Sequence, residues 1–329
     1  MDHQRRVLLA GMAAAAAGFT LPGLARAADA KYPSGPITMI VPFPPGGGTD
    51  AASRLIAQFV GQATGWNIVV ENRSGAGGNI GLGLLSRAKA DGLTIGMGQT
   101  SNLAINPSLY PKMPYDSLKD FVPIVLVAGQ PVVLVVSATS QYKSLEDVVK
   151  AAKAKPEAIT MASAGIGTVG HLAGAMFMQA AGVKFLHVPH PGASTAVSNM
   201  IGGQVDIYFA TPATVLPLIA SGKLRPLAVT SKDRLKALPD TPAIAEQGYA
   251  DFDARDWKGL VAPTGTPAEA VQRINAVVNE ALKKPLTIER FAAEGSTPIG
   301  GTPEDFATFL KSEYKRWGDS VRASGAKME

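Results

Sequence analysis

Short apolar runs alternate with segments of helical periodicity along nearly the whole chain. Ile37–Val41, Ile68–Val70, Thr94–Met97 and Ile124–Val127 read as strands. Helical spacing fills roughly Thr49–Gln62 and Ile80–Ala88 between the first three. Strands alternating with helices predict an α/β fold with a mainly parallel sheet. Pro131–Val136 is a further β-branched run, and Leu145–Ala154 a further helix. The pattern then restarts. Ile37-Thr38-Met39 is echoed by Ile159-Thr160-Met161, and a Gly-rich loop and an apolar helix follow both. Trp66–Val70 corresponds to Val183–Val188, and Thr94–Met97 to Val205–Phe209. The reading is one architecture used twice, as two similar lobes.

Leu224–Thr230 extends the second lobe, and Trp257–Ala262 is another strand. In Ala268–Leu282, Val271, Ile274, Val278 and Leu282 recur at helical spacing. Thr302 is placed to cap a last helix, with Pro303 at its first position and Asp305 in its first turn. These C-terminal helices have no counterpart in the second lobe, so they are expected to cover the first.

Two loops carry the candidate chemistry. Pro42-Phe43-Pro44-Pro45-Gly46-Gly47-Gly48-Thr49-Asp50 follows the first strand; Ser163-Ala164-Gly165-Ile166-Gly167-Thr168 follows Ile159–Met161. Glycine lets backbone approach a ligand closely. A helix starting there offers unpaired N–H groups and its positive dipole end, a setting for an anion. Thr49 and Thr168 are the expected N-caps, and Ser194 and Thr195 open a third helix. Thr100-Ser101-Asn102 follow the third strand. Asp50 either stabilises the helix dipole or meets a ligand ammonium or hydroxyl. A carboxylate there repels an anion, so its side chain should turn aside or bond through water.

Other chemistries lack parts. Gly165, Gly167 and Gly170 match G-x-G-x-x-G, but a dinucleotide site needs an acidic residue about 20 positions on. The next strand ends Phe185-Leu186-His187-Val188-Pro189-His190, without a carboxylate. His187 and His190, three apart on a strand end, face opposite ways, so no metal site is expected; His187 should pack and His190 sit on the surface or a loop. His171, early in a helix, should act locally. The chain has no cysteine, which removes thiolate chemistry, disulfides and lipoprotein attachment. No acid/base pair or cofactor motif is recognisable.

Hydrophobic content of 46% with 17% charged residues describes a globular protein. Net charge is +5, of which the first 27 residues carry two through Arg5, Arg6 and Arg26 against Asp2. No basic cluster with interleaved aromatics points to nucleic acid. Arg5-Arg6, the Ala-rich run Val7–Leu24 and Ala25-Arg26-Ala27 have the layout of a secretory signal, cut after residue 27 or 30. Gln4-Arg5-Arg6-Val7-Leu8-Leu9 also matches a loose twin-arginine motif, so export by the general or the twin-arginine route is open. The expected destination is the periplasm.

Several motifs resemble the Bug proteins, periplasmic solute receptors of tripartite tricarboxylate transporters. They are Tyr32-Pro33 with Ile40–Asp50, then Val70-Glu71-Asn72-Arg73-Ser74-Gly75-Ala76-Gly77-Gly78-Asn79-Ile80-Gly81. Asn106-Pro107-Ser108-Leu109-Tyr110, Tyr115–Phe121, Gly203-Gln204-Val205-Asp206 and Trp257-Lys258-Gly259-Leu260 continue the match in order, across residues 32–329. The resemblance implies a type II periplasmic-binding-protein fold: two similar α/β lobes joined by two crossing strands. Lobe 1 is expected over residues 31–127 plus 253–329, and lobe 2 over 128–252. It implies a small mono-, di- or tricarboxylate held between the lobes and delivered to integral membrane subunits, by a monomer without cofactor. Carried over by motif, ligand contacts are Phe43, Gly48, Thr49, Asn79 and Ser101 from lobe 1. Lobe 2 supplies Gly167, Thr168, Ser194, Thr195 and Asp206. The chain departs from the family pattern at His190-Pro191-Gly192 and Asn199, which leaves ligand identity open. Two other readings remain: a secreted enzyme using Asp50 or Asp206 as base, and a ligand sensor for a signalling protein.

Overall fold

Between Tyr32 and Met328, the residues described by this computed structural model, the chain builds two sheets. The expected export signal lies outside them. The first half runs β1 (Ile37–Val41), α1 (Gly48–Thr64), β2 (Ile68–Asn72), α2 (Asn79–Leu85), β3 (Thr94–Gln99), α3 (Asn106–Leu109) and β4 (Phe121–Pro131). The second follows as β5 (Val133–Ser137), α4 (Leu145–Ala154), β6 (Thr160–Ser163), α5 (Val169–Ala181), β7 (Leu186–Pro189), α6 (Ala193–Ile201), β8 (Ile207–Ala210), α7 (Pro212–Ala220) and β9 (Leu224–Val229). The chain then returns through β10 (Arg255–Pro263), α8 (Ala268–Leu282), α9 (Pro285–Ala293), β11 (Thr297–Pro298) and α10 (Pro303–Ser324).

The strand orders are β11-β4-β10-β3-β1-β2 and β7-β6-β8-β5-β9. Each contains the same unit. A central strand, β1 or β6, pairs in parallel on both sides. A strand arriving from the other half, β10 or β5, then adds antiparallel. The repeat read from the sequence is therefore a repeat of topology. In both sheets the order reverses beside the central strand, and a crevice opens at its carboxyl end.

The crossings are tied together at one residue. Thr230 N–H donates to Val132 O (3.0 Å), and Ala254 N–H donates to Thr230 O (2.9 Å). The fully buried Thr230 hydroxyl accepts from Val132 N (2.9 Å) and donates to Ala254 O (2.5 Å). Both connections are thus hydrogen-bonded to the end of β9.

The C-terminal helices depart from expectation in one respect. Helix α8 packs on α1 and β4 of the first sheet, but α10 packs on β4 and also on α5 of the second. Twenty-two residues make a helix about 33 Å long, enough to reach both halves. Its Ser320 hydroxyl donates to Leu172 O (3.3 Å). Phe306, Leu310, Trp317 and Val321 join a core that includes Leu103 and Ile105 of the first half and Leu172 and Phe177 of the second. The start of α10 is as expected: Thr302 and Asp305 form a reciprocal capping box.

Candidate ligand-binding site

A cavity of about 310 Å³ lies where the loops of the two sheets face each other. This is the small end of the range for ligand pockets. Phe43, Gly77, Gln99, Ser101, Asn106, Leu109 and Tyr110 line it from the first half. Ala164, the run Ile166 to Gly170, Ala193, Tyr208, Phe209 and Thr211 line it from the second, and Asp256 enters from β10.

The first Gly-rich loop reaches this cavity mostly at second hand. Gly47, in extended conformation, occupies the N-cap, and α1 begins at Gly48. Thr49 is therefore inside the first turn and not the cap expected of it. Its buried hydroxyl donates to Gln99 Oε1 (2.6 Å), and Gln99 Nε2 donates to Ser101 Oγ (3.1 Å). Ser101 and Gln99 face the cavity; Thr49 and Gly48 stand behind them. Gly48 sits beside two charged side chains. A Cβ there would lie 3.5 Å from Glu294 Oε2 and 3.8 Å from the Nζ of buried Lys258.

Asp50 turns aside, as an anion site at that helix start requires. Its carboxylate accepts from Gly46 N (2.9 Å), Arg54 Nε (3.0 Å) and Asn72 Nδ2 (2.9 Å). Burial pushes its pKa up, but the bonds from Arg54, Gly46 and Asn72 outweigh it and hold the carboxyl down at about 2. Asn72 Nδ2 also donates to Phe43 O (3.0 Å), so the same clamp fixes the residue that lines the cavity. Asn79 is spent similarly. Its Oδ1 accepts from Asn106 Nδ2 (2.7 Å) and Tyr115 OH (3.1 Å). It braces the cavity wall from behind.

The second loop is in direct contact. Thr168 caps α5, accepting from His171 N (3.4 Å) and donating to Gly165 O (2.8 Å). Gly167 has φ 75° and gives its N–H to His171 Nδ1 (3.1 Å). Its amide is thus engaged within the loop. Val169 and Gly170, which line the cavity in the first turn of α5, have no intrahelical acceptor. On α6 it is Ala193, the residue before Ser194 and Thr195, that lines the cavity. Asp206 is not brought to the cavity. It accepts from Thr160 N (2.8 Å) and Thr160 Oγ1 (2.7 Å) at the opposite end of β6. Of the ten expected contacts, Phe43, Ser101, Gly167 and Thr168 thus form the wall.

Sequence reading passed over Gln99, Tyr208, Thr211 and Asp256 as cavity residues. Gln99 could have been found as the last residue of β3, directly before Thr100-Ser101-Asn102. Asp256 and Lys258 flank the tryptophan of a motif that was noticed only as a family mark.

Three of the four histidines lie within the described residues, and all three stand behind the second loop. His171 and His187 stack with ring centroids 3.8 Å apart, and His187 Nε2 is 2.7 Å from Ser163 Oγ. His190 is in a loop, as one expected alternative had it, but buried, with Nδ1 unpartnered. Among the described residues no group of three or more His, Cys, Asp or Glu could hold a metal ion. Burial, helped by nearby His187, pulls the His171 pKa down to about 4. Unfolded histidine titrates near 6.5. Between those values the unfolded chain binds a proton that the native protein refuses, so stability falls as pH drops from about 6.5 to 4. His171 alone should remove about 2 to 3 kcal/mol over that window. Urea melts at pH 7.5 and 4.5 should show the loss, and His171→Gln should flatten the slope; an equal slope in the variant would contradict the assignment.

The two matched sheets, the paired crossings and the cavity between facing loops define a two-lobed solute-binding protein of type II periplasmic-binding-protein fold. The family profile described as "Tripartite tricarboxylate transporter family receptor" matches residues 52–326, and the chain belongs to that family. It is 43% identical over 314 residues to a UPF0065 protein from the tcbD-tcbE intergenic region of Pseudomonas sp. strain P51, covering 95% of this chain and 92% of that one. It is 38% identical to protein BugT of Bordetella pertussis over the full length of both. A Rhodopseudomonas palustris structure with adipate has a TM-score of 0.78 at 32% identity, covering 90% of this chain and all of the other. MatC of Rhodopseudomonas palustris with bound malate has a TM-score of 0.74 at 29% identity, covering 88% of this chain and all of the other.

Proposed function

We propose that this protein is a periplasmic receptor that closes on a small carboxylate and hands it to the membrane subunits of a tripartite transporter. It acts as a monomer without catalysis or cofactor. The bodies that close are residues 31–127 with 253–329, and residues 128–252. The observation that carries this reading is the cavity wall. It combines the first-turn amides of α5 with the hydroxyls of Ser101 and Thr211 and the side-chain amide of Gln99, and among the described residues no Lys or Arg lines it. Hydrogen bonds to a charged group contribute roughly 1.5–3 kcal/mol each. Four or five donors therefore gross about 6–15 kcal/mol, against about 8.2 net for micromolar binding. Adipate and malate in the structural relatives point to the same ligand class. Asp50 and Asp206, the candidate bases of an enzymatic reading, are both engaged as structural acceptors.

Thermal-shift and calorimetric screening against mono-, di- and tricarboxylates, with amines and sugars as controls, tests the ligand class. A carboxylate should raise the melting temperature and bind at micromolar level. Stabilisation by amines or sugars alone would overturn the reading, and turnover of a stabilising carboxylate would restore the enzyme. Delivery is tested by co-purification with membrane subunits, in a ligand-dependent manner.

A further inference from the structure

One group in the cavity is not used by the reading above. Asp256 lies on β10 opposite Gln130 of β4, at the seam between the two halves. Its Oδ2 accepts from Gln130 Nε2 (3.1 Å). Its shielded Oδ1 has no hydrogen-bond partner among the described residues; the nearby Thr100 hydroxyl donates instead to Trp257 O (3.4 Å). Asp256 nonetheless lines the cavity. Buried acceptors are almost always satisfied, and an orphan of this kind calls for a partner that arrives from outside.

The charges around it indicate what that partner is. Burial raises the Asp256 pKa, and Lys258, two residues along the same strand on the same face, opposes that rise without a direct ion pair. Tyr110 and Tyr208 line the cavity as neutral phenols, since burial raises both. Among the described residues no other ionisable side chain lines the cavity. An anionic ligand group placed against the ionised form of Asp256 is repelled, while the first turn of α5 favours it. The ligand is thereby oriented, carboxylate toward Val169 and Gly170, and its other polar end toward Asp256. We propose, resting on the carboxylate-receptor reading, that Asp256 is a specificity residue that accepts a hydrogen bond from a hydroxyl or ammonium on the ligand. The receptor then prefers hydroxy- or amino-carboxylates to plain ones. A hydroxyl and an ammonium offer the same donor chemistry, and the charge on Asp256 separates them.

The test uses matched probes on the full exported protein at pH 7.5: succinate, malate and aspartate, then glutarate, 2-hydroxyglutarate and glutamate. A donor-bearing member should bind roughly ten- to a hundredfold more tightly than its plain partner. Asp256→Ala should erase that ratio. Asp256→Asn keeps an acceptor but not the charge, so it should spare a hydroxyl preference and erase an ammonium preference. Equal affinity of plain and donor-bearing members in the unmodified protein overturns the inference while leaving the carboxylate reading intact, and needs no variant to fold. An unchanged preference for the donor-bearing member in Asp256→Ala also overturns it, since another group would then be reading the hydroxyl or ammonium. If no carboxylate binds, both readings fall.

Discussion

Replacing Gly167 by alanine should lower ligand affinity by roughly a hundredfold or more, through loss of the closed arrangement. A Cβ on Gly167 would lie 2.1 Å from Leu109 Cδ2 and 3.3 Å from its Cγ. Leu109 is buried, so its side chain cannot simply swing away. Alanine at φ 75° adds about 1–2 kcal/mol of backbone strain. Gly167 follows β6 of the second sheet, whereas Leu109 ends α3 of the first half. The clash therefore arises only where the two halves meet. Separation of the halves relieves it, and the population able to grip a ligand shrinks. Calorimetry with the best carboxylate from the screen should show the weaker affinity, and small-angle scattering a larger radius of gyration with ligand present. Adding Leu109→Ala should recover part of the affinity by removing the steric component and leaving the strain. Unchanged binding in Gly167→Ala would mean that this contact is not part of the gripping state.

The contrast between the two Gly-rich loops marks how far sequence reading reaches. Strand and helix positions and the internal repeat were legible because they rest on periodicity and small-residue punctuation. Helices α4 and α8 have the boundaries that their spacing predicts. What sequence could not give was the direction in which each polar side chain is spent. Thr49 and Thr168 look alike as caps, yet α1 starts one residue earlier and sends Thr49 to Gln99. Gly167 is one of several small loop residues in the sequence, and nothing local shows that His171, four residues on, takes its N–H. Asp206 belongs to a loop motif but faces Thr160 because it precedes β8 and does not follow it. Asp256 escaped notice because a single aspartate near the start of a strand reads as surface. Its importance comes from β10 passing between the halves, a long-range fact invisible in local pattern. The reach of α10 was hidden for the same reason. Its apolar stripe predicts a covered face, but not that two sheets share it.

That shared helix carries the largest expected effect on stability. Glu313 is buried on α10, and its Oε2 accepts from both Trp257 Nε1 (2.8 Å) and Trp317 Nε1 (2.9 Å). Its Oε1 pairs with Arg316 Nη2 at 2.6 Å, and Arg316 Nη1 also donates to Asp253 O. One carboxylate thus joins α10, β10 and the connection that precedes it. Glu313→Ala strands two buried indole N–H groups and a guanidinium, and opens a void beside two fully buried tryptophans. Removing one member of such a buried charged network costs about 3–5 kcal/mol. Glu313→Gln retains one acceptor and should cost less, about 1–3 kcal/mol. Urea unfolding followed by tryptophan emission reports on the site directly, because two of the three tryptophans sit there. Trp257 points to this network while Asp256 and Lys258, its neighbours on the strand, point to the opposite face. The rotation of β10 that aims Asp256 at the cavity is thereby set from behind by Glu313. Glu313→Gln should accordingly weaken the discrimination between donor-bearing and plain carboxylates more than it weakens binding of either. A stability loss in Glu313→Ala below about 1 kcal/mol would show that α10 is held by its apolar packing alone.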